Sequence, residues 1–418
     1  MRLEKIALLS RCLLGVILTA AAITSAADGY SLQQVIELAS NEHPSLRVAK
    51  AQEAAAIANV TTAQSFLNPE VEVGAGPSRY RSGSNDTRNN WGVALAQPLE
   101  FSDVRKARRE IAESNLNYVS LNTEINQVEL RSKVKQGFYQ VLQRQDGLRL
   151  MEEDRNLLQQ IRERVKMRVD VGESPKYELI KADTEALAAE RDYQAALVRV
   201  AEAKAFLQGL VGPSMPASYQ VTGELPLKQS LPAIESLRDQ VRQSPYLMQG
   251  RAASQTADAK LHLEQSLRNP GLTLKAGIEQ DPDLTNFRLG IAVPLPLWNQ
   301  RQGQIAEAVA NINQVQAQLS ERELALNRDL ESSYQRYSIA KNQLNSFENG
   351  LLAQAESVLK IAESAYKYGE RGILEYLDAQ RTYRLVKKDY LTARFDYVLA
   401  MLEVERLLGT NLLQDKNN

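Results

Sequence analysis

Asn68-Pro69-Glu70-Val71-Glu72-Val73-Gly74-Ala75 and Asn269-Pro270-Gly271-Leu272-Thr273-Leu274-Lys275-Ala276 are the same device written twice, about 200 residues apart. In each, the residue before proline is pushed out of helical geometry, and an alternating run follows. Val71, Val73 and Ala75 alternate with Glu70, Glu72 and Gly74, and after the polar stretch RYRSGSNDTRNN the alternation resumes at Trp91, Val93 and Leu95. In the second copy Leu272, Leu274, Ala276 and Ile278 precede a shorter loop with Asp281-Pro282, then Phe287, Leu289, Ile291 and Val293. A period of two on both sides of a turn predicts a β-hairpin, at about 70–98 and again at about 271–295.

Other landmarks recur in the same order: Pro44 with Pro245, Pro98-Leu99 with Pro294-Leu295, and Gly172, Ala182 and Gly212 with Gly369, Ala379 and Gly409. Because the matching residues are mostly breakers rather than the residues of an average helix, the chain reads as a tandem duplication. Its expected organisation is a signal peptide at 1–27, a first repeat at 28–210, a Pro-rich linker at 211–232 with a short strand at 219–222, a second repeat at 233–411 and a tail at 412–418. The signal has Arg2, Lys5 and Arg11, an apolar run from Leu13 to Ile23, and the small residues Thr24-Ser25-Ala26-Ala27. That run falls short of the roughly 20 residues of a spanning helix. Cys12, the only cysteine, lies inside this signal and follows Arg11, a poor context for a lipid anchor; the mature chain then has no disulfide and no thiolate ligand.

Each hairpin leads into a long helical stretch without proline, from about 102 to 169 and from about 299 to 368, each roughly 70 residues or on the order of 100 Å. Ile305, Val309, Ile312, Val315 and Leu319 form a seam at spacings of three and four, so these helices need partners. Gly172 and Gly369 break them, and return helices follow at about 176–210 and 374–408. The fold class is mainly α with a small β part: long antiparallel helical hairpins plus two β-hairpins. Each strand has about the length that crosses a bilayer when tilted, yet four strands cannot close, and spanning strands must close. Several chains would share one barrel; a soluble alternative lays each hairpin against the helices.

Acidic and basic residues number 51 and 50, so no basic field exists to hold nucleic acid. His43 and His262 occupy different repeat positions, no phosphate-binding glycine loop is present, and the methionines are scattered, so no cofactor, metal site or enzyme is expected. At the second helix break Glu375 and Asp378, three apart, share a helical face. An ordinary solvated ion pair with a neighbouring base explains the same pattern. Glycine suits a turn of positive φ at Gly172 and Gly369 without any further role.

The segment AYKYGERGILEYLDAQRTY, Ala365 to Tyr383, and the repeated Asn-Pro before each hairpin resemble the TolC family of outer-membrane efflux channels, in its cation-efflux (CzcC-like) branch. The resemblance spans essentially the whole mature chain. It implies a homotrimer whose strands form one β-barrel in outer-membrane lipid and whose helices form an α-barrel tunnel across the periplasm of a Gram-negative bacterium. It also implies two partners, a periplasmic adaptor (membrane fusion protein) and an inner-membrane pump of the resistance-nodulation-division type. By the same resemblance Glu375 and Asp378 ring the periplasmic mouth, Tyr366 and Arg371 tie it closed against Glu178, and the tips Gly172-Glu173 and Gly369-Glu370 contact the adaptor. Glu375 stands where the family more often has the shorter aspartate. The expected function is the exit channel of a tripartite efflux system for heavy-metal cations; a duct for drugs or other small solutes, and a periplasmic coiled-coil scaffold or adaptor, remain as alternatives.

Overall fold

The structure, a computed structural model, describes residues 29–79, 87–216, 218–227 and 229–412. The expected signal, Cys12, most of the first hairpin loop and all but residue 412 of the tail lie outside them. In chain order the elements are α1 (Leu32–Glu42), α2 (Pro44–Gln64), β1 (Glu70–Arg79), β2 (Thr87–Leu99), α3 (Ser102–Asp170), α4 (Lys176–Val211), α5 (Ile234–Val241), α6 (Pro245–Ser266), β3 (Leu272–Gln280), β4 (Thr285–Ala292), α7 (Gln302–Ser346), a π-helical turn (Phe347–Leu351), α8 (Leu352–Lys367) and α9 (Ile373–Leu408). Ser31 caps α1 in a reciprocal capping box with Gln34, and Pro245 opens α6, where its missing N–H costs nothing.

The chain forms two compact units, each drawing on both halves of the sequence: Met1–Leu46 with Gln127–Leu237 and Asp329–Asn418, and Arg47–Asn126 with Arg238–Arg328. In the second unit the four strands make one antiparallel sheet in the order β1-β2-β3-β4, with β1 and β4 as open edges. The two hairpins are joined by β2 and β3, paired from Trp91 with Gln280 to Leu99 with Leu272. The helices of this unit approach closely through small residues, with Ala49, Ala56, Ala63, Ala107, Ala252 and Ala257 all buried. Arg108 fixes the entry to the sheet. Its guanidinium donates to the Ala63 and Ser65 carbonyls at the end of α2, 3.2 and 3.0 Å away, and pairs with Glu100 at 2.7 Å. A cation at a helix C-terminus satisfies carbonyls that lack an intrahelical partner.

In the first unit a core of Phe138, Tyr139, Leu207, Met215, Tyr337, Tyr397 and Met401 gathers α3, α4, α7, α9 and the inter-repeat segment. The segment 219–222 does not form the expected strand; it makes a single parallel bridge, Val221 to Tyr30. Its backbone polar groups are met instead by Tyr30 and by Lys204, which donates to the Tyr219 carbonyl at 3.0 Å.

The long helices differ. α3 runs unbroken for 69 residues. The expected continuous helix over about 299–368 is instead interrupted at Phe347–Leu351, where Gly350 leaves helical geometry (φ 162°, ψ −39°). A π-helical turn inserts one extra residue and kinks the axis, and glycine, which has no side chain to anchor the helix, is a common site for it. The expected seam on α7 is only partly covered within the chain, since Val309 is 43% exposed and Ile305, Ile312, Val315 and Leu319 are half-buried.

Candidate functional site

Two features stand apart from an ordinary helical protein, the sheet and the two helix breaks. Register makes the sheet strongly two-faced. Val71, Val73, Ala75, Trp91, Val93, Leu95, Leu274, Ala276, Ile278, Phe287, Leu289 and Ile291 fall on one face; Glu70, Glu72, Gly74, Gly92, Ala94, Lys275, Gly277, Glu279, Arg288 and Gly290 fall on the other. The apolar face is bare. Leu289 is 89% exposed, Phe287 80% and Val73 72%. Fully burying one such side chain is worth about 1.5–3 kcal/mol, so a contiguous face of this size does not persist in water and marks a contact with lipid or another protein. On the opposite face Arg288 and Glu279 pair at 2.8 Å. Among the described residues no helix is long and apolar enough to cross a membrane.

Both helix breaks have the same construction. Gly172 donates its N–H to the Val169 carbonyl and Glu173 to Arg168; Gly369 donates to Tyr366 and Glu370 to Ala365. This is the Schellman pattern, which requires a left-handed residue in the glycine position, and φ is +82° at Gly172 and +75° at Gly369. Above the tips a second core unites the two helical hairpins, with Leu158, Ile161 and Val165 of α3, Ala182 and Ala189 of α4, and Ile373, Tyr376 and Leu377 of α9. Tyr366 stacks on Tyr376 with centroids 5.8 Å apart, and the Arg168 guanidinium lies over the Tyr366 ring. Burial pushes the Tyr376 hydroxyl above its ordinary pKa.

The mouth residues expected from the sequence sit just beyond this core. Glu375 and Asp378 are exposed on one face of α9. Arg371, in the turn just before α9, pairs with Glu375 of its first turn at 3.1 Å, both side chains being more than half exposed. Glu178, in the first turn of α4, is joined to neither Tyr366 nor Arg371 by a hydrogen bond or ion pair among the described residues. His43 caps the end of α1 and bonds Ser45, and His262 pairs with Glu110 on the surface.

One cluster had no sequence signal. Asp154 on α3, its side chain 2% exposed, accepts from Gln380 Nε2 at 3.1 Å and from Arg384 Nη1 at 2.7 Å, both on α9. The buried face of α9 thus runs from Ile373, Tyr376 and Leu377 to Gln380 and Arg384, apolar near the tip and polar above it. Lys135 and Glu405 form a second buried pair between the same two helices, at 4% and 6% exposure. In sequence these charges look like any others on a helical surface.

Comparison with known proteins agrees with this geometry. The family profile for outer membrane efflux proteins matches residues 35–213 and again 237–410. The cobalt-zinc-cadmium resistance protein CzcC of Cupriavidus metallidurans is 24% identical over 389 residues, 92% of this chain and 91% of its own length. The outer membrane protein TolC of Vibrio cholerae is 23% identical over 94% of both chains. The crystal structure of CusC, which forms a transmembrane channel, superposes with a TM-score of 0.78 at 19% identity, covering 91% of this chain and 92% of that one. A two-faced sheet with open edges, paired helical hairpins and two family matches over most of its length identify the chain as a member of the outer membrane efflux protein family, a channel protein of TolC-like, CzcC-like type and not an enzyme.

Proposed function

We propose that this chain is the outer-membrane exit duct of a tripartite exporter of heavy-metal cations in a Gram-negative bacterium. Three copies close a twelve-stranded barrel in the outer membrane, and their helical hairpins line a tunnel into the periplasm. The observation that carries this reading is the bare apolar sheet face with two open edges, because such a sheet is stable in hydrocarbon only when closed. The partly open seam on α7 and the exposed apolar residues Ile180 and Leu187 on α4 and Val358 and Ile361 on α8 supply helical faces for neighbouring copies. Metal cargo is supported by the likeness to CzcC, a cobalt-zinc-cadmium resistance protein.

Conduction is passive and gated, with Glu375 and Asp378 of three copies around the mouth and energy supplied by an inner-membrane pump of the resistance-nodulation-division type. Six carboxylates in a narrow ring repel one another and attract cations. Arg371, already on Glu375, offsets part of that charge, and a tie from Arg371 and Tyr366 to Glu178 of a neighbouring helical hairpin holds the mouth closed. The tips at Gly172-Glu173 and Gly369-Glu370 receive the periplasmic adaptor. Deleting the gene should sensitise cells to cobalt, zinc or cadmium, and the purified protein should form cation-selective pores in planar bilayers. A single-chain protein without pore activity would overturn the proposal, and unchanged metal tolerance would overturn the cargo.

A further inference from the structure

The exit-duct reading requires β4 of one copy to meet β1 of the next, and the geometry of the sheet restricts how. Within the chain, Glu70, Ala96, Lys275 and Gly290 lie on one row of opposed residues. Continuing that row straight into the next copy's Glu70 would give upright strands, whereas strands of closed barrels tilt by about 35–45°. Four strands cover about 19 Å across the sheet and each residue advances about 3.3 Å. A stagger of two residues per copy therefore tilts the strands by roughly 19°, four by roughly 35° and six by roughly 46°. Odd staggers are excluded because they would turn the apolar face of one copy inward. The result does not depend on how many copies close the barrel.

Among the described residues, the extent of paired strand favours one of the remaining choices. A stagger of four sets all of 285–292 against 72–79, inside β1 throughout. The same stagger in the opposite sense leaves only 285 and 286 opposite strand residues, and a stagger of six sets 286 and 285 opposite 80 and 81, outside the described residues, so that six pairs remain within β1. We propose that β4 pairs antiparallel with the next copy's β1 with Leu289 opposite Ala75 and Gly290 opposite Gly74. Phe287 then faces Pro77 and Ile291 faces Val73, so the apolar face continues unbroken from copy to copy, and Arg288 lies beside Gly76 and Gly74, where it has room. The rival two-residue stagger would bring Arg288 diagonal to Glu72, but Arg288 already pairs with Glu279 and the strands would stand too upright.

Cys12 is the only cysteine, so a Cys12→Ser background allows disulfide trapping in outer-membrane fragments. Leu289→Cys would be combined with Ala75→Cys, Val73→Cys or Pro77→Cys, and oxidised linkage between copies read on non-reducing gels beside native mass. Opposite Cβ atoms lie about 4.5–5.5 Å apart and diagonal ones about 7–8 Å, against the roughly 3.5–4.5 Å a disulfide needs. The Ala75 combination should link at least about 10-fold faster than the others. Fastest linkage with Val73→Cys or Pro77→Cys overturns the register and leaves the exit duct standing. Failure of every combination in an oligomeric protein also overturns the register, and a single-chain mass overturns the exit duct itself. Gly74→Cys with Gly290→Cys repeats the test on the opposite face, where a Cβ at either glycine meets nothing within 4 Å; because neighbouring opposed pairs alternate between hydrogen-bonded and non-hydrogen-bonded sites, it is compared with Glu72→Cys and Gly76→Cys on the same face, and faster linkage of Gly290→Cys with either of those overturns the register.

Discussion

Replacing Asp154 should loosen the two helical hairpins from one another more than any exposed charge on the same helices. Its carboxylate is 2% exposed and accepts from Arg384 and Gln380. Asp154→Ala leaves the Arg384 guanidinium, 16% exposed, without its carboxylate, and leaves Gln380 with its donor unpaired as well as the Oε1 that already lacks a partner. Removing one member of a buried pair costs about 3–5 kcal/mol, because the charge left behind is neither hydrated nor paired. Replacing both members by apolar groups is close to neutral, so Asp154→Leu with Arg384→Met should recover most of the loss. Amide hydrogen exchange suits a protein of two units, since it reads local opening without a two-state assumption. Exchange over 150–158 and 376–388 should accelerate by about 10²–10⁴-fold in Asp154→Ala and by less than about 10-fold in the double variant. If the single variant exchanges like the parent, or the double one is as loose as the single, the pair does not hold α3 to α9.

Gly172→Ala and Gly369→Ala should each cost about 1–2 kcal/mol in urea unfolding, the left-handed penalty alone, because a Cβ at either site meets nothing within 4 Å; Asn should cost less. Arg371→Ser should change stability by less than about 0.5 kcal/mol, as an exposed pair between the tip turn and the start of α9, yet raise single-channel conductance in planar bilayers if it helps to close the mouth. Glu375→Ala with Asp378→Ala should weaken cation selectivity and block by multivalent cations, and unchanged selectivity would remove both residues from the mouth. Asp396 lies exposed on α9, and partial desolvation there pushes its carboxyl above its ordinary pKa, an effect that its contact with solvent keeps small. The folded chain therefore favours the protonated form, and this residue contributes stability below the ordinary aspartate value that is lost as pH rises through the folded value. Asp396→Asn should be the more stable protein at neutral pH in urea unfolding, with the difference vanishing in acid.

Local rules make much of this protein legible from its sequence alone. Proline excludes helix from the residue before it and alternation exposes a strand, so Asn68-Pro69 and Asn269-Pro270 announce both hairpins and their two faces. Gly172 and Gly369 mark the ends of the helices because few other residues adopt positive φ. Glu375 and Asp378 can be placed on one exposed face by helical spacing alone. The break at Phe347–Leu351 is not legible, since Gly350 is tolerated inside many helices and only packing decides whether an extra residue is inserted there. Asp154, Gln380 and Arg384 are invisible for a related reason. Burial of a charge depends on which two helices meet and at what height, and residues more than 220 positions apart carry no mark of that meeting. The union of the two hairpins into one sheet through β2 and β3 has the same origin. Each hairpin follows from its own few residues, but pairing between them is a contact between distant segments, settled by the whole chain's packing.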